Sequence, residues 1–288
     1  MTPGRITKLK AGTYTVSLNQ KIYQCKPRGV FRHQNIDPRV GDKVLLDETL
    51  TTITEVLERQ SLLKRPAIAN VDQAFLVMSV AEPDLSEILL DRFLVLIEEA
   101  GIEGIIVLTK TDLIDPPTLK DIKEKMTYYE SLYPVYYVSK HDPNTIDPLK
   151  NLFKDKITVF AGQTGAGKSS LLNHLSPELN LATQEISKAL GRGKHTTRHV
   201  ELWQLYDGFI ADTPGFSKLE FEKLDKANLK YYFKDFKVLA SQCKFRECNH
   251  LKEPGCAVKK ALDEGQIPAS RYQSYEKIYQ EVKDQETY

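Results

Sequence analysis

Thr109-Lys110-Thr111-Asp112 and, about fifty residues later, Gly162-Gln163-Thr164-Gly165-Ala166-Gly167-Lys168-Ser169 decide how this chain folds. The second stretch reads GxxxxGK(S/T). It lies between an apolar run, Ile157-Thr158-Val159-Phe160-Ala161, and a helix start, Ser170-Leu171-Leu172-Asn173-His174-Leu175. Strand, glycine-rich turn and helix are the context that makes the pattern a phosphate loop. Its glycines let backbone N–H groups converge on phosphate oxygens, and the helix N-terminus adds its positive dipole end. Gly162 to Ser170 are therefore the expected phosphate cradle, with Lys168 bridging the outer phosphates during catalysis and Ser169 on Mg²⁺.

The first stretch chooses the base. Asp112, after the strand-like Ile105-Ile106-Val107-Leu108, can accept hydrogen bonds from the guanine N1–H and 2-amino group. Adenine has neither donor and would leave a buried charge unpaired. The stem of Lys110 is expected to cover the base plane, with Thr109 and Thr111 completing the turn. Thr109 stands where many guanine readers carry Asn, so one amide donor is missing. Val138-Ser139-Lys140 ends the next strand, and Ser139 either belongs to a loop supporting the base or merely closes that strand.

Asp212-Thr213-Pro214-Gly215 follows the apolar Phe209-Ile210-Ala211 and reads DxxG. Asp212 is expected to hold Mg²⁺ through a water and the Gly215 N–H to meet the γ-phosphate. Between the two phosphate motifs runs Gly191-Arg192-Gly193-Lys194-His195-Thr196-Thr197-Arg198-His199, basic and glycine-rich as a nucleotide-sensing switch would be. One of Thr196 and Thr197 is expected on Mg²⁺, Thr197 being favoured; a basic loop with no metal role is the alternative. The base reader precedes the phosphate loop, the reverse of the usual order, so the domain reads as circularly permuted. The pocket survives that rearrangement because it depends on which strand ends meet. After DxxG comes Phe216, where a Gln would orient the attacking water. Slow intrinsic hydrolysis is expected, completed by another group or a partner. His195 is the candidate for positioning water, and contact with RNA phosphate or solvent is its competing role.

Cys243-x4-Cys248-x-His250-x5-Cys256 places three thiols and an imidazole within fourteen residues. Three thiolates and one imidazole form a closed tetrahedral set, the arrangement of structural Zn²⁺ with no open position for catalysis. Cys25 stands alone and reads as a small buried apolar residue. Clustered cysteines of this kind point to a reducing compartment, and no apolar run approaches the ~18 residues of a membrane span. A cytoplasmic protein without membrane attachment is expected.

Net charge is +1 over 288 residues, but residues 1–65 hold twelve Lys/Arg against six Asp/Glu, a net of +6. That favours a polyanion such as nucleic acid as partner. The same segment reads as five short strands, Arg5–Leu9, Thr13–Leu18, Lys21–Cys25, Val40–Leu46 and Thr51–Val56. Such a pattern suits a small oligonucleotide-binding (OB) type barrel, and an SH3-like barrel would look similar. Arg65 to Asn70 reads as a linker. Beyond it, buried strands alternate with amphipathic helices, giving a mostly parallel sheet. The expected architecture is multidomain α/β: an OB-type β-barrel (1–65), a circularly permuted P-loop GTPase domain (66–218) and a helical zinc-binding domain (219–288). Its last helix carries the stripe Tyr272, Tyr275, Ile278, Tyr279 and Val282.

Together these motifs resemble the bacterial ribosome small-subunit-dependent GTPase family, the circularly permuted RsgA/YjeQ type. The resemblance rests on Thr109–Asp112, Gly162–Ser170, Gly191–Thr197, Asp212–Gly215 and Cys243/Cys248/His250/Cys256, and covers the whole chain. It implies GTP/GDP, Mg²⁺ and structural Zn²⁺ as cofactors. It also implies the 30S ribosomal subunit with its 16S rRNA as partner, and late 30S maturation with subunit-stimulated hydrolysis; a monomer is expected. Two readings compete: a signalling or membrane-surface GTPase whose barrel binds protein, and an RNA-binding nucleotide-sensing switch with little turnover. Replacing His195 by Ala should lower partner-stimulated hydrolysis far more than GTP affinity. Unchanged turnover would remove His195 from the mechanism.

Overall fold

A computed structural model describes residues 3–19, 21–64, 67–176, 200–211 and 224–285. Five strands, β1 (Gly4–Lys10), β2 (Thr13–Leu18), β3 (Lys21–Pro27), β4 (Lys43–Asp47) and β5 (Thr52–Val56), close a barrel in the order β1-β2-β3-β5-β4. A short helix, α1 (Val30–His33), follows β3. Period-two patterning drives the closure: Tyr14, Val16 and Leu18 of β2 and Val44 and Leu46 of β4 point inward with Ile6, Cys25 and Ile53. Ala11 and Gly12, at φ 48° and 76°, make the two-residue turn of the β1–β2 hairpin. β3 runs parallel to β5, which gives the OB-type barrel expected above.

The expected linker is instead a hairpin. β6 (Leu62–Lys64) pairs antiparallel with β7 (Ala67–Ala69). Ile68 and Ala69 are fully buried, and Ile68 bridges Val40, so apolar burial recruits a segment whose composition looked polar. Asn70 ends it in the left-handed region (φ 56°), accepting from Gln60 N–H and donating to the Gly41 carbonyl.

A second sheet holds β8 (Gln73–Ser79), β9 (Glu103–Thr109), β10 (Val135–Tyr137), β11 (Ile157–Ala161), β12 (Leu202–Leu205) and β13 (Gly208–Ala211) in the order β10-β9-β8-β11-β13-β12. β9/β10 and β11/β13 are parallel; β12, absent from the sequence reading, joins β13 antiparallel. Every residue of β8 and β11 is buried, as continuous apolar runs require. Helices α2 (Glu87–Glu99), α3 (Pro116–Glu130), α4 (Asp147–Lys150) and α5 (Lys168–Leu175) intervene. Ser86 caps α2 and Asp115 caps α3, each accepting a backbone N–H three residues on. The described residues fall into two compact units. One is drawn from 1–73, 146–160 and 168–216, the other from 74–145, 161–167 and 217–288.

In the second unit, α6 (Lys234–Ala240), α7 (Ala257–Asp263) and α8 (Ala269–Gln285) complete the chain. The stripe Tyr272, Tyr275, Ile278, Tyr279 and Val282 packs with Phe233, Phe236, Val258 and Val95 in one apolar cluster. At its edge Arg271, 1% exposed, holds Asp235 through two hydrogen bonds (3.1 and 2.9 Å) and Asp91 of α2 at 2.5 Å. Tyr128 of α3 donates to Asp235 and Tyr129 to Asp91. Burial opposes charge at both carboxylates. It wins at Asp91, whose pKa is raised, whereas the bidentate Arg271 keeps Asp235 below the usual range. Removing the shared cation strands two buried carboxylates, a loss of about 3–5 kcal/mol. Arg271→Met should lower the urea midpoint accordingly; a change below about 1 kcal/mol would show that these carboxylates do not depend on Arg271.

Candidate nucleotide-binding site

The site grows from two strand ends within the second unit. β9 finishes at Thr109, and Lys110 adopts a left-handed conformation (φ 62°) that turns Thr111–Leu113 into a 3-10 turn. Thr109 is buried; its hydroxyl donates to the Ala166 carbonyl at 2.6 Å and lies 3.2 Å from that of Met78. Its own carbonyl accepts from Val80 N–H at 3.1 Å. One side chain therefore ties the phosphate loop to the ends of β8 and β9.

Backbone proximity dictates the glycines. A Cβ on Gly162 (φ 120°) would stand 2.0 Å from the Val77 carbonyl oxygen, so no side chain fits there. Gly167 (φ 87°) is constrained by its left-handed backbone; a Cβ there would make only ordinary contact with Thr109, 3.6 Å from its hydroxyl. Within the loop, Ala166 is buried, Gln163 and Gly167 half-buried, and Thr164 and Gly165 exposed.

Lys168, Ser169 and Ser170 open α5 directly after Gly167. Burial pulls the Lys168 ammonium down to about 8. Thr111 donates through its hydroxyl to the Val138 carbonyl at 3.2 Å, fixing the base-reading turn to the end of β10. Ser139 gives its N–H to Thr145 Oγ1 (3.0 Å) and accepts from His141 N–H at Oγ (3.1 Å). Its amide is thus engaged within its own loop.

Two neighbours of the base reader had no sequence signal. The Lys110 ammonium donates to the Glu82 carbonyl, and His141 Nε2 lies 3.8 Å from the Asp112 carboxylate. Asp212, Gly215 and the segment Gly191–His199, with His195, Thr196 and Thr197, lie outside the described residues.

The ligand atoms of Cys243, Cys248, His250 and Cys256 lie within 4.8 Å of one another. His250 Nδ1 is 3.5 Å from Cys243 Sγ and 3.3 Å from Cys256 Sγ, so Nδ1 is the nitrogen facing the sulfurs. Burial, helped by Lys230, lowers His250 to about 4 and keeps its imidazole neutral. Burial also raises the Cys248 thiol to about 12 and Cys256 upward; a bound cation would reverse that cost. Ala257 N–H donates to Cys243 Sγ and Lys259 N–H to Cys256 Sγ, and Cys256 caps α7.

Outer contacts hold the knuckle. Tyr272 and Tyr275 donate to the His250 and Asn249 carbonyls, and Glu253 accepts three backbone N–H groups of the loop. Buried Lys230 donates to the Cys248 carbonyl at 3.0 Å. The donor set and its N–H···S support fit a tetrahedral thiolate-rich metal.

A phosphate loop strapped to a downstream-facing TKxD, in permuted order, defines a GTPase of the circularly permuted class. Family models agree: residues 56–222 match the RsgA GTPase and residues 3–52 the RsgA N-terminal domain. The chain is 48% identical, over 98% of its length and 95% of the relative's, to the small ribosomal subunit biogenesis GTPase RsgA of Enterococcus faecalis. It is 47% identical to the Bacillus subtilis protein of that name, covering 99% and 98%. Among solved structures it resembles YloQ, a circularly permuted GTPase, with a TM-score of 0.85, 41% identity and 99% and 96% coverage. It also resembles YjeQ from Thermotoga maritima, with a TM-score of 0.85, 38% identity and 98% of each chain covered. The chain belongs to the RsgA GTPase family, and a GTPase family implies a guanine nucleotide and Mg²⁺.

With Lys168 expected on the phosphates, its lowered pKa predicts pH-dependent nucleotide binding. A polyphosphate favours the charged ammonium, so its pKa rises on binding and GDP affinity declines as pH climbs through about 8. Calorimetry at about pH 8.3 in two buffers of different ionisation enthalpy should show proton uptake. Lys168→Arg, charged throughout, should show none; equal uptake in both proteins would contradict the assignment.

Proposed function

We propose that this chain hydrolyses GTP to GDP and phosphate on the 30S ribosomal subunit, assists that subunit's late maturation, and is stimulated by it. The observation carrying this reading is the Thr109–Ala166 strap, which sets a guanine-selecting turn against a phosphate loop. The relatives' names supply the ribosomal context. Thr109–Asp112 take the base, with Ser139 able to reach it only through its hydroxyl because Thr145 holds its N–H, and Gly162–Ser170 take the phosphates. Mg²⁺ is held by Ser169 and Thr197, with Thr196 as the alternative, and by Asp212 through water. Lys168 and the Gly215 N–H stabilise the transferring phosphoryl group, and His195 positions water. Cys243, Cys248, His250 and Cys256 hold Zn²⁺ structurally.

The net +6 of residues 1–65 favours 16S rRNA as the barrel's ligand. The division 1–65, 66–218 and 219–288 follows the motif order. No helix among the described residues is long and apolar enough to cross a membrane; a monomer acting in the cytoplasm fits a ribosome-directed role. Hydrolysis measured with and without purified 30S subunits, at stated salt, tests the proposal. Stimulation of at least about tenfold, weakening as salt rises, is expected. Equal rates would overturn it in favour of a nucleotide-sensing RNA-binding switch with little turnover.

A further inference from the structure

Within the first unit, strand β1 has a second partner. Its early residues serve the barrel: Gly4 and Arg5 pair with Val44 and Lys43 of β4, and Ile6 exchanges backbone hydrogen bonds with Gly41 and Asp42. The ladder with β4 ends at Arg5, while pairing with β2 continues across a register shift between Ile6 and Lys8 as far as Lys10. Lys8 then forms an antiparallel bridge with Glu201, and its ammonium meets the Glu201 carboxylate at 2.6 Å. Both side chains are only partly exposed, at 38% and 26%. A backbone bridge fixes the geometry of this ion pair, unlike two freely mobile surface side chains.

Glu201 has a telling place in the chain. It immediately precedes β12, and the β12–β13 hairpin ends at Ala211, directly before Asp212. The same hairpin is held in register by β13 pairing with β11, the strand that leads into the phosphate loop. One short hairpin therefore joins the Gly191–His199 segment to DxxG in sequence, and Lys8 of the barrel grips its start. We infer that Lys8 and Glu201 are a positioning pair through which ligand binding at the barrel biases the two nucleotide-sensing segments, and through which nucleotide state biases barrel affinity. The inference rests on the motif roles proposed above. Coupling of this kind must be reciprocal, which gives it a readout that a merely structural contact would not move.

Affinity for purified 30S subunits is measured in the GDP and non-hydrolysable GTP-analogue states for wild type, Lys8→Met, Glu201→Gln and the exchanged double variant Lys8→Glu/Glu201→Lys. The wild-type ratio between states should be at least fivefold. It should approach one in both single variants, with basal hydrolysis unchanged, and recover in the exchange variant. A Lys8 that merely touched RNA would weaken binding in both nucleotide states, leave Glu201→Gln unaffected and gain nothing from the exchange; that pattern overturns the inference. A wild-type ratio of one does so too.

If the wild-type chain does not bind subunits, the partner reading fails separately. Trp203 of β12, the only tryptophan in the sequence, then decides. Its emission should respond to exchanging GDP for the analogue, by a different amount in Lys8→Met; equal responses reject the pair.

Discussion

The hydrogen bond from Thr109 to the Ala166 carbonyl is the constraint on which the nucleotide site depends. A phosphate loop can cradle any nucleoside triphosphate, and an aspartate after a strand can read a base only if it is held at a fixed distance from that cradle. Thr109 supplies the fixed distance by joining the loop to the turn that carries Asp112. The join is close because Gly162 admits no side chain where the loop passes Val77, and Gly167 takes a positive φ beside Thr109. Permutation leaves it untouched, since the two motifs meet through strand order in the sheet and not through order along the chain.

The C-terminal helices bring a different kind of constraint. Arg271 reaches across to α2 and α6 and lies over the rings of Phe233 and Tyr129. α2 follows the loop after β8, and α3, which supplies Tyr128 and Tyr129, follows the base-reading turn. The helices behind both loops are thus pinned by one buried cation. A buried ion cluster of this sort adds little net stability over apolar packing, but it tolerates only one arrangement of its members.

What could be read from sequence was what is local. The phosphate loop, the TKxD turn and the Cys/His spacing each lie within a short window, and backbone chemistry dictates their residues. The barrel strands were legible through period-two burial, and the tyrosine stripe of the last helix through its period near 3.6. Arg271 was not, because its partners lie 36 and 180 residues away and a charged residue at a helix start looks like surface. Lys8–Glu201 and His141–Asp112 are hidden for the same reason. The β6–β7 hairpin was missed because Ile68 and Ala69 gain their burial from Val40 and Gly41, distant in sequence. β12 was missed because its four residues, Leu202 to Leu205, are too few for a pattern.

Base selectivity after an exchange at Asp112 is the most direct measurement. Asn in place of Asp loses the acceptor for the guanine 2-amino group and gains a donor for the 2-oxo group of xanthine. Competition between GDP and XDP should favour GDP by about a hundredfold or more in wild type and turn towards XDP in Asp112→Asn. An unchanged preference would mean that the turn strapped by Thr109 does not read the base bound over this phosphate loop.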